Sequence, residues 1–296
     1  MKKEIITPIL TILDENGKFD KAGNEKLIDY VISNGVDGIL ILGSSGEFNK
    51  FSTEEKKEIA KFYLDKINKR VKAIVGAACI NYNETIDLAN YAISNGADGV
   101  MLLSDLYFKL SQKDFFHYYD KLCKNINGDV YIYNYPANSG NSIDADTIYK
   151  IKKENDNLRG IKDTVSDFSH TKEVIKTMKQ DFSDFKIYSG YDNQFEKNYL
   201  EGGDGNISAL SNIVPDLWTK WVKAANDNTD EFKACSEKID GLMELYSLDS
   251  NLFHIFKYMV KYVGLDISTY TMFPFDELPE EQINKGKEII DKFYKK

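Results

Sequence analysis

The sequence predicts an α/β protein: a (β/α)8 barrel over residues 1–226, then a three-helix C-terminal appendage of the same domain over residues 227–296. Two observations carry this reading. DYVISNGVDGILILGS from Asp29 and NYAISNGADGVMLLS from Asn90 resemble each other at an offset of 61 residues. Each reads as the end of an amphipathic helix, an Asn-Gly stop and a continuous apolar strand. Strand-like runs also alternate with helical patterns eight times in roughly 225 residues, which matches a TIM barrel. Their consecutive apolar residues suit parallel strands buried on both faces beneath helices. A doubly wound open sheet is the alternative arrangement.

The first strand falls at EIITPIL, where Pro8 fits poorly in an interior strand. GILILG is the second. STEEKKEIAKFYLDKI is a helix opened by a Ser/Thr cap with glutamates behind it, and it leads to the third strand, KAIVGAA. The two repeats are therefore two βα units apart. DGVMLLS, VYIYNYP, LRGIKDT, KIYSGYD and GDGNISA complete the eight. Beyond them DEFKACSEKIDGLMELYSL, NLFHIFKYMVKYVG and EEQINKGKEIIDKFYKK read as the appended helices, with no Pro/Gly-rich linker in front.

Composition excludes several classes of function. A net charge of -9 with lysines scattered along helical faces speaks against a nucleic-acid partner. The N-terminal MKKEIITPILTIL is broken by Thr7 and Pro8 and ends at Asp14 and Glu15 without a small-residue cleavage site, so it is not read as a signal peptide. No apolar run approaches the ~20 residues that span a bilayer. The expectation is a cytoplasmic protein with a small-molecule substrate and no membrane partner. Cys79, Cys123 and Cys235 are odd in number and widely spaced, which points to small core residues and away from disulfides or zinc. His117, His170 and His254 are isolated, which speaks against a metal site and leaves proton transfer to other groups.

In such a barrel, chemistry sits at the carboxyl ends of the strands. EGGDGN precedes the eighth strand and so lies on the opposite face, where it reads as a tight turn. GSSGEF, residues 43–48, follows the second strand and faces the site. Its backbone N–H groups and two hydroxyls suit a carboxylate or phosphate, although a plain βα turn needs the same small residues.

Strand residues alternate in direction, so Gly160, Lys162 and Thr164 share one face, as do Tyr131, Tyr133 and Tyr135 on the preceding strand. Neighbouring strands about 4.8 Å apart bring Lys162 and Tyr133 together if both point inward. A desolvated ammonium loses its proton readily and becomes a nucleophile toward ketones, and a tyrosine can carry the protons. Two plainer alternatives remain open. Lys162 could be ion-paired with Asp163 or Glu47, and the tyrosines could be aromatic core.

GSSGEF, YNYP with Gly140 four residues after its proline, GIKDT, SGYD and GGDGNISA occur in this order over nearly the whole chain. The ordered set resembles the pyruvate-dependent class I aldolases grouped with N-acetylneuraminate lyase and dihydrodipicolinate synthase. The resemblance implies that Lys162 forms a Schiff base with pyruvate, that Tyr133 relays protons, and that Ser44 and Ser45 hold the pyruvate carboxylate. It implies that the Ile207 carbonyl faces the site, that no metal or organic cofactor is required, and that the chain forms a homo-oligomer, a tetramer. Tyr107 falls where the synthases send a tyrosine from a neighbouring subunit into the relay; a simple interface aromatic is the other reading. Thr164, Gly190, Asp192, Asn138 and Ser139 are the further positions expected to contact substrate.

Details within the motifs separate the subgroups. The synthases carry an arginine two residues after the proline, where this chain has Asn138, and the lyases tend to show Asp-Glu where this chain reads Asp192 and Asn193. The motifs look most like 2-keto-3-deoxygluconate aldolases. The expected reaction is thus reversible cleavage of a 4-hydroxy-2-oxo acid to pyruvate and an aldehyde. The synthase and N-acetylneuraminate lyase reactions are the alternatives inside the family. Outside it stand a non-catalytic barrel that binds a small acid and a phosphate-handling isomerase, which would need a Gly-rich phosphate loop after the seventh or eighth strand.

Overall fold

Eight parallel strands close into a barrel in chain order: β1 (Glu4–Pro8), β2 (Gly38–Ile41), β3 (Lys72–Gly76), β4 (Gly99–Leu103), β5 (Val130–Asn134), β6 (Leu158–Asp163), β7 (Lys186–Ser189) and β8 (Gly205–Ile207). The computed structural model describes residues 2–104, 107–227 and 229–295. All eight strands coincide with the runs read from the sequence, and β1 pairs with both β2 and β8, which removes every sheet edge. The open doubly wound sheet is thereby excluded.

The repeat is explained by its stops. Helices Lys21–Ser33 and Tyr82–Ser94 end at Asn34 and Asn95, and the next residues, Gly35 and Gly96, have φ of +87° and +99°. Glycine enters that region without the steric cost a side chain would bring, so each helix turns sharply into the following strand. Helix Thr53–Ile67 opens with the expected capping box between Ser52 and Glu55. Pro8 is accommodated because the β1–β8 ladder ends at Ile6↔Ile207, while the β2 side continues through the Ile9 N–H to the Leu40 carbonyl. The missing N–H at position 8 therefore faces the side on which no ladder remains.

Two apolar layers result. Ile6, Leu40, Ile74, Met101, Tyr131, Tyr133, Tyr188 and Ile207 fill the barrel, and a larger shell packs between strands and helices. Helices Glu231–Leu242, Leu252–Tyr262 and Glu280–Phe293 follow the barrel, the first tightening into a 3-10 turn at Met243–Ser247. The last residue of the third pattern, Lys296, lies outside the described residues. Ile239, Leu242, Phe256, Met259 and Ile290 join the outer shell of the barrel, so the appended helices share its core. Cys123 and Cys235 are buried, and Cys79 is half-buried beside the Lys56 ammonium. Among the described residues no helix is long and apolar enough to cross a membrane.

Closure depends on Gly205, which opens β8 at φ +151° with no space for a Cβ against the Glu4 carbonyl of β1. Gly205→Ala is expected to cost at least about 2 kcal/mol of stability, read as a lower midpoint in urea unfolding. An unchanged midpoint contradicts this account of the closing pair.

Candidate active site

Register places Tyr133 of β5 beside Lys162 of β6, and Lys162 beside Tyr188 of β7. Because directions alternate, Lys162 and Tyr133 point into the barrel while their neighbours Asp163 and Asn134 point outward. The Lys162 Nζ lies 4.5 Å from the centre of the Tyr133 ring, and the lysine is only 5% exposed. Burial lowers its pKa to about 8, with the Asp192 carboxyl acting in the opposite sense. The carboxylates that could have neutralised it are engaged elsewhere. Asp163 accepts from Asn134, His170 and Thr171 on the outer face, and Glu47 is paired with Lys257.

Tyr133 is buried, which raises its phenol above the usual range, and the neighbouring Ser44 and Thr164 hydroxyls work against that rise. The phenol therefore carries its proton near neutral pH and has hydroxyl neighbours to exchange it with. Ser44 sits in the 3-10 turn Ser44–Gly46 directly after β2. Two ties fix this turn: the Thr11 hydroxyl donates to the Gly46 carbonyl, and Lys257, from helix Leu252–Tyr262, reaches Glu47. Ser45 is buried within it.

Two cavities meet here. A small apolar one of about 10 Å³ is lined by Leu40, Leu42, Ser44, Met101, Leu103 and Tyr133. A wider chamber of about 520 Å³ shares Ser44 and Leu103 and extends past Tyr135, Asn138, Ser139 and Asn251. Tyr135 stacks on Tyr133 with ring centres 5.8 Å apart. Pro136–Ser139 forms one short helical turn with proline at its start and Gly140 at φ +70° as its stop, and this turn carries Asn138 to the chamber.

The other expected positions divide. Thr164 is buried beside Tyr133, and Gly190 is packed so closely that a Cβ would run into the Thr164 hydroxyl. Ile207 closes the inner layer from β8. The Ser139 hydroxyl donates within its own loop, to the Tyr135 and Asn141 carbonyls, so it holds the turn. Asp192 accepts from the Ser208 hydroxyl, the Leu210 N–H and the Tyr246 hydroxyl. Burial pushes its carboxyl upward, but all three partners donate and so suit the ionised form. Its oxygens face these groups and not the chamber. Tyr107 is 88% exposed, edge-on to Phe108, and is not brought to the cavities within this chain.

Sequence reading missed Tyr246, Lys257 and His170. The first two lie on the appended helical region and carry no local motif. His170 was set aside as isolated, yet seven residues separate it from Asp163, its partner. Among the described residues, no three of His, Cys, Asp and Glu converge in a way suited to a metal ion.

The chain as a whole has known relatives. The sequence profile of the Dihydrodipicolinate synthetase family matches residues 1–293. YagE of Escherichia coli K12, named provisionally as a 2-dehydro-3-deoxy-D-gluconate aldolase, is 33% identical over 97% of this chain and 95% of that protein. The crystal structure of YagE in complex with pyruvate superposes with a TM-score of 0.96, at 31% identity, over 98% of each chain. A 4-hydroxy-tetrahydrodipicolinate synthase of Thermosipho africanus is 34% identical over 73% of each chain. A match of the profile to nearly the full length, with a barrel that superposes so closely, means that the chain belongs to the dihydrodipicolinate synthetase family.

Proposed function

We propose that this protein is a class I aldolase that cleaves a 4-hydroxy-2-oxo acid of the 2-keto-3-deoxygluconate type, reversibly, to pyruvate and an aldehyde. The observation that carries the reading is an amine without a carboxylate partner inside the barrel, held against a buried phenol. The pyruvate complex of YagE supports it, as does that protein's name.

The Lys162 amine attacks C2 of the 2-oxo acid, and water leaves with a proton from Tyr133 to give an iminium. The iminium is an electron sink. Loss of the C4 hydroxyl proton to the Tyr133 oxygen lets the C3–C4 bond break, its electron pair forming an enamine as the aldehyde departs. Protonation of C3 and hydrolysis release pyruvate and restore the amine. Ser44 and Ser45 hold the carboxylate in this reading.

The wider chamber supports a hydroxylated aldehyde. Asn138, Tyr135 and Asn251 offer neutral donors and acceptors. Lys50 is the one cation among the chamber's lining residues, and its ammonium already donates to the Phe273 carbonyl. An aldehyde bearing a carboxylate would lack the arginine fork that such a group favours. The exposure of Ile80, Tyr107 and Phe108 supports self-association; family resemblance supports a tetramer and a cytoplasmic location.

Three outcomes check this reading. Lys162→Ala abolishes pyruvate release, and Tyr133→Phe lowers kcat on the order of 10²-fold; a Tyr133→Phe enzyme with wild-type rates removes the phenol from the mechanism. Since the Lys162 pKa is lowered to about 8, the rate of borohydride trapping with pyruvate climbs with pH up to about 8 and levels above it. A rate still climbing at pH 10 contradicts the desolvated amine. Finally, kcat/KM for 2-keto-3-deoxygluconate cleavage exceeds that for condensing pyruvate with aspartate semialdehyde by at least about tenfold. The reverse order hands the protein to the synthase reading.

A further inference from the structure

The outer face of the catalytic strands carries a second constellation. Directly behind the Tyr133–Lys162 pair, Asn134 and Asp163 are in register, and the Asn134 amide donates to Asp163 Oδ1 at 2.7 Å. Asp163 Oδ2 faces the Thr171 hydroxyl at 2.6 Å and the His170 Nδ1 at 2.8 Å, both from helix Ser169–Lys179. The other ring nitrogen of His170, Nε2, lies 2.8 Å from the Ile143 carbonyl. The Ile143 N–H in turn donates to Asn134 Oδ1 at 3.3 Å.

A carboxylate and a carbonyl are both acceptors, so an imidazole bonded to each needs a proton on both nitrogens. That species is the imidazolium. Burial alone would lower the pKa of His170, but the hydrogen bond and charge of Asp163, the Ile143 carbonyl and the charge of Asp144 raise it to about 9. Asp163 on β6 and Asp144 at the cap of helix Ala145–Glu154 are the charged groups that face it; Asp167 is turned to Ser169.

Ile143 ends the loop that starts with the Asn138 turn. In the same loop Asn141 holds the Phe108 carbonyl and the Leu110 N–H of the preceding βα connection. The His170 cation, with Asn134 beside it, thus ties the strand bearing Lys162 to the loop that walls the aldehyde chamber.

We propose that His170 is a positioning residue: as an imidazolium clamped between Asp163 and Ile143, it locks the Asn138 loop onto the Lys162 strand and so sets the shape of the aldehyde chamber. The inference rests on the aldolase reading above. Neutral His170 gives up one of its two hydrogen bonds, which leaves Ile143 held by Asn134 alone, while Lys162 and Tyr133 keep their places in the barrel. Alkaline conditions therefore weaken binding of the long substrate before they disturb the Schiff base.

The test joins spectroscopy to kinetics. The chain has three histidines, so comparing the wild type with His170→Gln assigns the ring nitrogens of His170 in ¹⁵N NMR. Two protonated nitrogens at pH 7.5 are expected, with one lost near pH 9; a neutral ring at pH 7.5 overturns the proposal, and this reading holds even if the variant folds poorly. In kinetics, the wild-type KM for 2-keto-3-deoxygluconate rises as pH passes about 9. In His170→Gln it is already higher on the order of tenfold at pH 7.5 and shows no further rise in that range. A wild-type pH profile of KM in the variant overturns the assignment to His170 alone. Wild-type protein that traps no pyruvate on any lysine overturns the aldolase reading, and this inference with it.

Discussion

An amine buried inside a barrel with no carboxylate bonded to it is the constraint on which this structure turns. A downward shift from the ordinary value to about 8 means that the charged form of Lys162 is disfavoured by about 3 kcal/mol relative to water. The fold tolerates this because the site can hold the neutral amine, and because the Tyr133 ring face lies 4.5 Å away to receive whatever charge remains. The carboxylates close in sequence or space are each captured by other donors. Asp163 turns outward to Asn134, Thr171 and His170, Glu47 is taken by Lys257, and Asp192 by Ser208, Leu210 and Tyr246. An ion pair at any of these would return Lys162 to its protonated, unreactive form.

The appended helices take part in that arrangement. Tyr246 lies just past helix Glu231–Leu242 and Lys257 lies within Leu252–Tyr262, yet both reach the barrel mouth. The first satisfies Asp192, and the second pins the turn that presents Ser44 to the phenol. On the proposed mechanism, barrel strands supply the nucleophile and relay on a rigid support, while loops and appended helices shape the chamber. Such a division would let one barrel centre be adapted to different substrates through changes outside the strands.

Periodicity made much of this legible in the sequence. The Asn-Gly stops exposed the βα repeat, and the period of two grouped Lys162 with Gly160 and Thr164, and Tyr133 with Tyr131 and Tyr135, leaving the inward direction of both faces to the closed barrel. What stayed hidden depends on contacts far apart along the chain. Glu47 and Lys257 are 210 residues apart, and Asp192 and Tyr246 are 54 apart; no local pattern announces either pair. Asp192 could be read from its strand-end position as a group for substrate hydroxyls, because only the folded chain reveals the three donors that occupy it. Ser139 lines the chamber, and that its hydroxyl also closes its own turn is likewise visible only in the folded chain. Tyr107 is exposed in a single chain, and a role in the relay needs a second copy.

The most direct test of a neutral, nucleophilic lysine is to find where the substrate carbon becomes attached. Protein incubated with pyruvate and borohydride, then digested and mapped by mass spectrometry, should carry one reduced pyruvyl group on the peptide containing Lys162. A protein that stays unmodified, or a label on a different lysine, would contradict the account.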